Sequence, residues 1–564
     1  MTRLVNAALP GPPSAAAPNP TDDRPRQSLA DRLTSPGGLF LSAVLLAAAF
    51  PVTSAIRDPD FWWHLRSGQL ILQRGGLLGT DPFTYTVSSH AWTMHEWLTE
   101  VLFAWLQSWG GLGAVVVVLS AVTWLGVVCV FQRARLDRPN SLVLGGGMVL
   151  AVIAGYPIWG PRAQMITFAC AALTLLLAER HLRCGGRLVW LLLPMFLVWS
   201  NLHSGFLIGL AFLALIVVAE AVAHRLSIAD RAPAARVRTL GLVTLCCVLV
   251  SAINLNGPGI ILYPFGTLGS AAQESLILEW HSPDFHDWSV RVFAFMLLSL
   301  VALIVVNRRI RPRDAALVLA TAVLSLQSVR NIALFVAAAT PAWISQADLA
   351  LQRLRAGRRR RARSPLPPLP IRVVSWGILC GAILLIYLGG RLIPAARIQQ
   401  LSLSYAEEFP VCAANWIAAD PRPLRIFNQY GEGGYLAYRL SAQGDRVFIF
   451  GDAALMGDDL LYTYGAVESV QPRWDSILRG DNTDLVIFDT GTPLANLLAH
   501  ATDWVRVYAD QHNVAYAPTD RLAALHLPPL PTYPAVTSPG SVRASDVCTQ
   551  LHDTPASQLN QAAG

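Results

Sequence analysis

The sequence predicts an α-helical polytopic membrane protein with about eleven transmembrane helices and a small C-terminal α/β domain outside the cytoplasm. Three observations predict it. The 564 residues are 53% hydrophobic and only 14% charged, whereas soluble chains average about 25% charged. Apolar runs recur along the first 392 residues, and every second connection between them is rich in arginine. Beyond residue 393 the pattern changes to short alternating segments separated by turn residues.

Taken in order, residues 1–37 are rich in Pro, Ala and Ser and read as a disordered cytoplasmic tail. Residues 38–392 form the transmembrane domain. Its first span, about Gly38–Ile56, is not a cleaved signal peptide on this reading. The tail before it is long, and no clear small-x-small site precedes the acidic loop that follows. The first outer loop covers 57–111. Further apolar runs fall at 112–131, 141–158, 163–178, 188–200, 205–223, 239–254, 290–306, 314–328, 332–349 and 371–389. Arg133, Arg135 and Arg138 follow the second span, Arg180, Arg183 and Arg187 the fourth, and Arg225, Arg231, Arg236 and Arg238 the sixth. Arg308, Arg309, Arg311 and Arg313 follow the eighth, and Arg353, Arg355 and Arg358–Arg361 the tenth. Arginine-rich short loops stay in the cytoplasm. The N-terminus is therefore placed there, the odd-numbered loops outside, and the whole chain in the plasma (inner) membrane.

Residues 393–527 read as the extracytoplasmic domain, with buried strands at Arg446–Gly451 and Asp484–Asp489, a helix at Leu494–Ala501 and a hairpin from Trp504–Asp510 with Asn513–Ala517. Residues 528–564 read as a flexible tail. Asn428–Tyr435 is a glycine-rich loop without the spacing of a dinucleotide site. Its Tyr430, Glu432 and Tyr435, with Trp474, have the chemistry to contact carbohydrate, although turn and core roles fit them better.

The formal charge is +7 and arginine carries all the positive charge, because the chain has no lysine. The basic runs are juxtamembrane, which favours an anionic leaflet over nucleic acid as their partner. No pair among the eight cysteines has zinc-site spacing, and Cys412 and Cys548 share the C-terminal region, where a disulfide is open to them.

The chemistry concentrates in the first outer loop. Asp58-Pro59-Asp60-Phe61-Trp62-Trp63-His64 is followed by Asp81-Pro82-Phe83 and His95-Glu96-Trp97. Asp60, Trp63, His64 and Ser67 have helical spacing and share one face of a helix lying along the membrane, which Gly75-Gly76 ends. A second helix is expected from about Thr93, with His95 and Glu96 at its start. Carboxylates beside hydrocarbon are costly and mark functional sites. The plain alternative is a pair of interfacial helices capped by acids and anchored by aromatics.

This arrangement resembles the GT-C superfamily of membrane glycosyltransferases, which take sugars from polyprenyl-phosphate carriers. It is similar in particular to the lipid A aminoarabinose transferases and protein O-mannosyltransferases. Those enzymes open the first outer loop with an acid pair, continue with a juxtamembrane helix ending in Gly, and place a basic residue near the start of a second helix. Asp58-Pro59-Asp60, Gly75 and His95 stand at those positions here. Related bacterial membrane proteins of unassigned specificity also carry strings like Asn-x-His-Gly, from which Asn201-Leu202-His203-Ser204-Gly205 departs by a small change. The resemblance implies a GT-C-like membrane domain and inverting transfer of a sugar from a polyprenyl-phosphate-linked donor to a glycan, glycolipid or protein outside. Asp60 is then the first choice for the essential acid, with Asp58 and Glu96 assisting.

Substrate contacts are expected from His64, His95, Arg162, Asn201, His203, Glu279 and Arg330. Arg162 and Arg330 are cations at the outer ends of spans and suit a phosphate. Asn201 and His203 close the fifth span, and Glu279 belongs to an acid and imidazole cluster running to His286. Asp58, Asp60 and His64, with Glu96, also offer ligands suited to Mg2+ or Mn2+, although no cofactor is required. Two rival readings are a non-catalytic component that binds lipid-linked glycans for assembly or export, and a transporter.

Overall fold

The computed structural model describes residues 28–356, 366–397, 408–527 and 548. The expectations for residues 1–27, for Arg358–Arg361 and for most of the 528–564 tail lie outside the described residues.

Each apolar run falls on a helix. In chain order these are Pro36–Val52, Trp97–Arg135, Ser141–Ala154, Gln164–Cys184, Leu188–Leu202, Phe206–Arg225, Ala234–Ser251, Trp288–Asn307, Pro312–Gln327, Ile332–Arg355 and Leu369–Tyr387. Among the described residues, seven helices are long and apolar enough to cross a membrane, and the chain is a multi-pass membrane protein. The tail is shorter than expected. Leu29–Leu33 forms a helical turn and the next helix starts at Pro36, because Ser28 and Ser35 accept hydrogen bonds from Asp31 N and Gly38 N as N-caps.

Two helices belong to the first loop. α1 spans Phe61–Arg74 and ends at Gly75, whose φ of 72° supplies the left-handed cap expected of it. α2 spans Trp97–Arg135, not from Thr93, so His95 and Glu96 sit in the turn before it. Its 39 residues break at Gly110 and Gly111, where φ reaches 67° at Gly111. The break separates a loop segment from the span proper, and the exposed, stacked rings of Trp105 and Trp109 lie just before it, an arrangement suited to an interface.

The C-terminal domain is a five-stranded sheet in the order β2-β1-β3-β5-β4. β1 is Arg425–Asn428, β2 Arg446–Val447, β3 Leu485–Asp489, β4 Trp504–Ala509 and β5 Asn513–Pro518. β1 runs parallel to β2 and β3, and β5 antiparallel to β3 and β4. The expected helix appears as Pro493–Leu498, and the hairpin is β4–β5. One expectation needs correction. The strand expected over Arg446–Gly451 stops at Val447, where the Asn428 side chain begins to take the next backbone N–H. The glycine-rich loop follows the short, four-residue β1 and opens α3 (Gly433–Leu440).

The helical body and this domain share one hydrophobic core, which includes Phe61, Trp62, Trp63, Phe83, Phe427, Leu436 and Phe450. The first loop also covers the free edge of the sheet. Thr84 bridges Val447, Val447 N donates to Phe83 O at 3.0 Å, and Tyr85 N donates to Val447 O at 3.2 Å. A covered edge does not recruit foreign strands.

Cys412 and Cys548 are disulfide-bonded across 136 residues, which fastens residue 548 back to the domain. Removing a native disulfide typically costs about 2–5 kcal/mol. Cys548→Ser should therefore lower the unfolding midpoint of the C-terminal domain. An unchanged midpoint in a thermal melt would show that the bridge carries no stability.

Candidate functional site

α1 lies between the helical body and the C-terminal domain, and small residues allow the approach on both sides. A Cβ at Gly68 would meet Glu100 O of α2 at 1.9 Å, and one at Gly434 of α3 would meet Pro59 O at 2.6 Å. Trp62 packs edge-on against Tyr435 with ring centroids 5.1 Å apart. The buried face of α1 carries Trp63, His64 and Ser67 as its spacing predicts.

Asp60 stands at the N-terminus of α1, but its side chain does not cap the helix. Its Oδ1 accepts from Trp63 Nε1 at 3.2 Å and touches Gly451, where an ideal Cβ would fall 1.5 Å from that oxygen. Among the described residues, Oδ2 has no hydrogen-bond partner. Burial, and then the Asp58 carboxylate, push the Asp60 carboxyl up to about 7.

Beside it, Arg162 is held by two acids. Its Nε donates to Asp58 Oδ2 at 3.0 Å and its Nη2 to Glu279 Oε1 at 2.6 Å. The Glu279 backbone oxygen accepts from Ser328 Oγ at 2.8 Å, and the Arg330 guanidinium lies 4.9 Å over the Trp280 ring. Loops far apart in sequence thus meet here: Asp58, Arg162 and Glu279 share one set of bonds, Asp60 N donates to Asp58 at 3.2 Å, and Arg330 stands over Trp280 beside Glu279. Arg162 differs from expectation in being committed to carboxylates, which leaves Arg330 as the cation with no acidic partner among the described residues.

A second group surrounds the buried Glu96. His64 Nε2 lies 3.4 Å from one of its oxygens, and His95 Nε2 and His203 Nε2 lie 3.1 and 3.3 Å from the other. His64 Nδ1 reaches Glu100 at 3.3 Å. His203 Nδ1 accepts from Gly205 N at 2.8 Å, so the neutral ring carries its proton on Nε2, the nitrogen nearest Glu96. Burial would lower the His64 pKa, but Glu96, Glu100 and Asp60 outweigh it and push the imidazole up to about 9. His203, with burial dominant and Glu96 only partly offsetting it, falls to about 4. Burial would raise Glu96, yet His203, His64 and His95 hold it well below the usual carboxylate range. Asn201 serves packing: its Oδ1 accepts from Trp97 Nε1 at 3.1 Å and its Nδ2 donates to Leu197 O and Ile253 O.

The donor set considered for Mg2+ or Mn2+ does not converge. Asp58 turns to Arg162, His64 is held between Glu96 and Glu100, and Asp60 bonds Trp63. Among the described residues, no group of three or more His, Cys, Asp or Glu side chains has the geometry to hold a metal ion. The physical reason is charge: the guanidinium competes for the same carboxylates.

Sequence reasoning missed three contributors. Glu100 lies one helical turn beyond Glu96, a spacing that points to it. Asp452 is buried, accepts from Trp92 Nε1 at 2.7 Å and caps the turn that follows it. Tyr430 is weighed for carbohydrate but not placed at the acids, and nothing local links either Asp452 or Tyr430 to residue 60.

No protein-family model matches the chain, and no curated protein matches it. Solved structures do. AglB, an archaeal oligosaccharyltransferase from Archaeoglobus fulgidus solved with an inhibitory peptide and a dolichol-phosphate, aligns with a TM-score of 0.51 at 10% identity, over 85% of this chain and 74% of that one. ArnT from Cupriavidus metallidurans, solved bound to undecaprenyl phosphate, aligns at 0.44 with 16% identity, over 85% of this chain and 97% of that one. The apo form of ArnT gives 0.45 and 14%, over 84% and 96%. The likeness to AglB is one of fold: this chain shares the fold of that structure.

Two outcomes are expected of the site itself. Asp60 has a higher pKa folded, about 7, than its ordinary 3.8. Its ionisation therefore costs stability that is absent below about pH 4 and fully developed above about pH 7. Asp60→Asn should melt higher than wild type at pH 8, with the advantage shrinking as the pH falls; a pH-independent difference would contradict the buried carboxylate. Gly451→Ala should destabilise by about 1–3 kcal/mol through overpacking. That cost should shrink in an Asp60→Ala background, and strict additivity of the two would refute the contact.

Proposed function

We propose that this chain is a glycosyltransferase of the GT-C type. It moves a sugar from a polyprenyl-phosphate carrier to a hydroxyl-bearing acceptor on the extracytoplasmic side of the inner membrane. The arginine-rich connections face the cytoplasm in this reading, and the C-terminal domain and first loop lie on the opposite side. The observation that carries the proposal is Asp60. It is a carboxylate poised near neutrality with one open oxygen, with Arg330 in the same gathering of loops. The shared fold with AglB, whose structure holds a dolichol-phosphate, supports the donor class.

In the step proposed, Asp60 takes the proton of the acceptor hydroxyl. The acceptor oxygen bonds to the anomeric carbon from the face opposite the phosphate, so the configuration inverts. The bond from that carbon to the phosphate oxygen breaks, and the electron pair leaves on the lipid phosphate. Arg330 stabilises that charge electrostatically. Arg162 holds Asp58 and Glu279 as a frame.

A non-catalytic binder of lipid-linked glycans is separated from this by mutation. A transporter would place its ionisable groups on broken helices at mid-membrane, whereas here they collect in the connecting loops and at the C-terminal domain. Mass spectrometry of envelope glycans from cells with and without the chain should reveal a missing substituent. Asp60→Asn should abolish that product while the purified variant still binds undecaprenyl phosphate. The wild-type rate should decline as the pH falls below about 7, because the base becomes protonated. Normal product from Asp60→Asn would refute the assignment.

A further inference from the structure

The C-terminal domain enters the site through two turns, and both leave the carboxyl ends of parallel strands. β1 ends at Asn428 and leads to Tyr430; β2 leads through Phe450 to Gly451 and Asp452. The strand order β2-β1-β3 places β1 where successive connections depart in opposite directions. In open α/β sheets, the crevice beyond the carboxyl ends of the strands at such a point is where ligands bind. Here that edge is pressed against the acids of the first loop, with Gly451 in contact with Asp60.

Tyr430 is held firmly by its backbone and left free at its tip. Its N–H donates to the Tyr464 hydroxyl at 2.9 Å, and its ring packs beside that of Tyr464. Among the described residues its own hydroxyl has no hydrogen-bond partner. Burial, and then the charges of Asp60, Asp452 and Glu279, push its ionisation well above the ordinary value, so it remains an O–H donor. The turn that carries Tyr430 opens α3, whose Gly434 lies against the Pro59 backbone next to Asp60, so the phenol stands on the face of the domain that meets the acids. The carboxylates it faces make this side of the site unfavourable to an anion, since like charges brought together in a dry site repel strongly. Asp452 is already engaged by Trp92 and by the backbone of Leu455. Of the side chains that these two turns bring to the first loop, Tyr430 therefore has a hydroxyl with a bond left to make, whereas Asp452 does not.

We propose that Tyr430 binds the acceptor, donating to an oxygen next to the hydroxyl that Asp60 deprotonates, and that this acceptor is an uncharged sugar bearing adjacent hydroxyls. The proposal rests on the glycosyl-transfer reading and adds to it: the C-terminal domain selects the acceptor, while the loops of the helical body meet the carrier phosphate.

The test uses Tyr430→Phe in the full chain, which keeps the ring and removes only the hydroxyl. Product in complemented cells should fall about three- to tenfold, the scale of one neutral hydrogen bond. Binding of undecaprenyl phosphate to the purified variant should stay within about twofold of wild type, as expected if no carrier contact is lost. The residue carrying the new substituent, identified by mass spectrometry, should be a neutral sugar. Undiminished product from Tyr430→Phe, with Asp60→Asn inactive, overturns the acceptor role and leaves the transferase reading standing. Equal loss of product and of carrier binding overturns it too, by showing a structural role. Attachment to an anionic residue overturns the acceptor class. Full product from both variants removes the transferase reading itself.

Discussion

The Arg162 guanidinium, bridging Asp58 and Glu279, is the interaction on which the rest of the site depends. Without it three carboxylates, those two and Asp60, would crowd one another at the edge of the helical body. Arg162 bonds two of them at 3.0 and 2.6 Å, while burial and the neighbouring Asp58 push the third, Asp60, up to about 7. A buried ion pair is weak evidence for stability but strong evidence for a fixed geometry, because removing one partner strands the other. The same bridge ties the loop before α1 to those carrying residues 162 and 279, and Ser328 continues the link through the Glu279 backbone.

Asp60 is where it is because backbones come unusually close around it. Gly434 admits Pro59, Gly451 admits Asp60, and Gly68 admits the backbone at Glu100. The main-chain bonds between Phe83, Tyr85 and Val447 then lock the first loop to the sheet edge. The C-terminal domain is therefore part of the wall around Asp60, and its Gly434 and Gly451 serve that packing.

What the sequence made legible was local. Apolar runs mark the spans because a helix buried in hydrocarbon must be apolar over its length. Gly75 marks the end of α1 because its left-handed conformation favours glycine. The face shared by Trp63, His64 and Ser67 follows from helical periodicity. What stayed hidden depends on distant partners. β1 is a four-residue strand between proline-rich and glycine-rich turns, too short for a periodic signal. The split of the acids was hidden too, because a list of Asp, Glu and His donors does not reveal which of them a guanidinium will claim. Asp452 and Tyr430 reach the acids only through the sheet topology, and nothing local encodes that.

The two groups of the site are coupled through one turn of α1. Trp63 bonds Asp60 and packs against His64, with ring centroids 3.6 Å apart. A cationic His64 lowers the Asp60 pKa and would, acting alone, make the carboxylate a poor base. Its charge is largely taken up by Glu96 and Glu100, at 3.4 and 3.3 Å. His203, facing Arg330 and its neighbouring histidines in a buried position, sheds its proton and adds no further positive charge. The three imidazoles around Glu96 thus leave a nearly balanced cluster behind α1. Because the cluster balances itself, burial can set the Asp60 carboxyl near neutrality, where a carboxylate serves best as a base for a sugar hydroxyl.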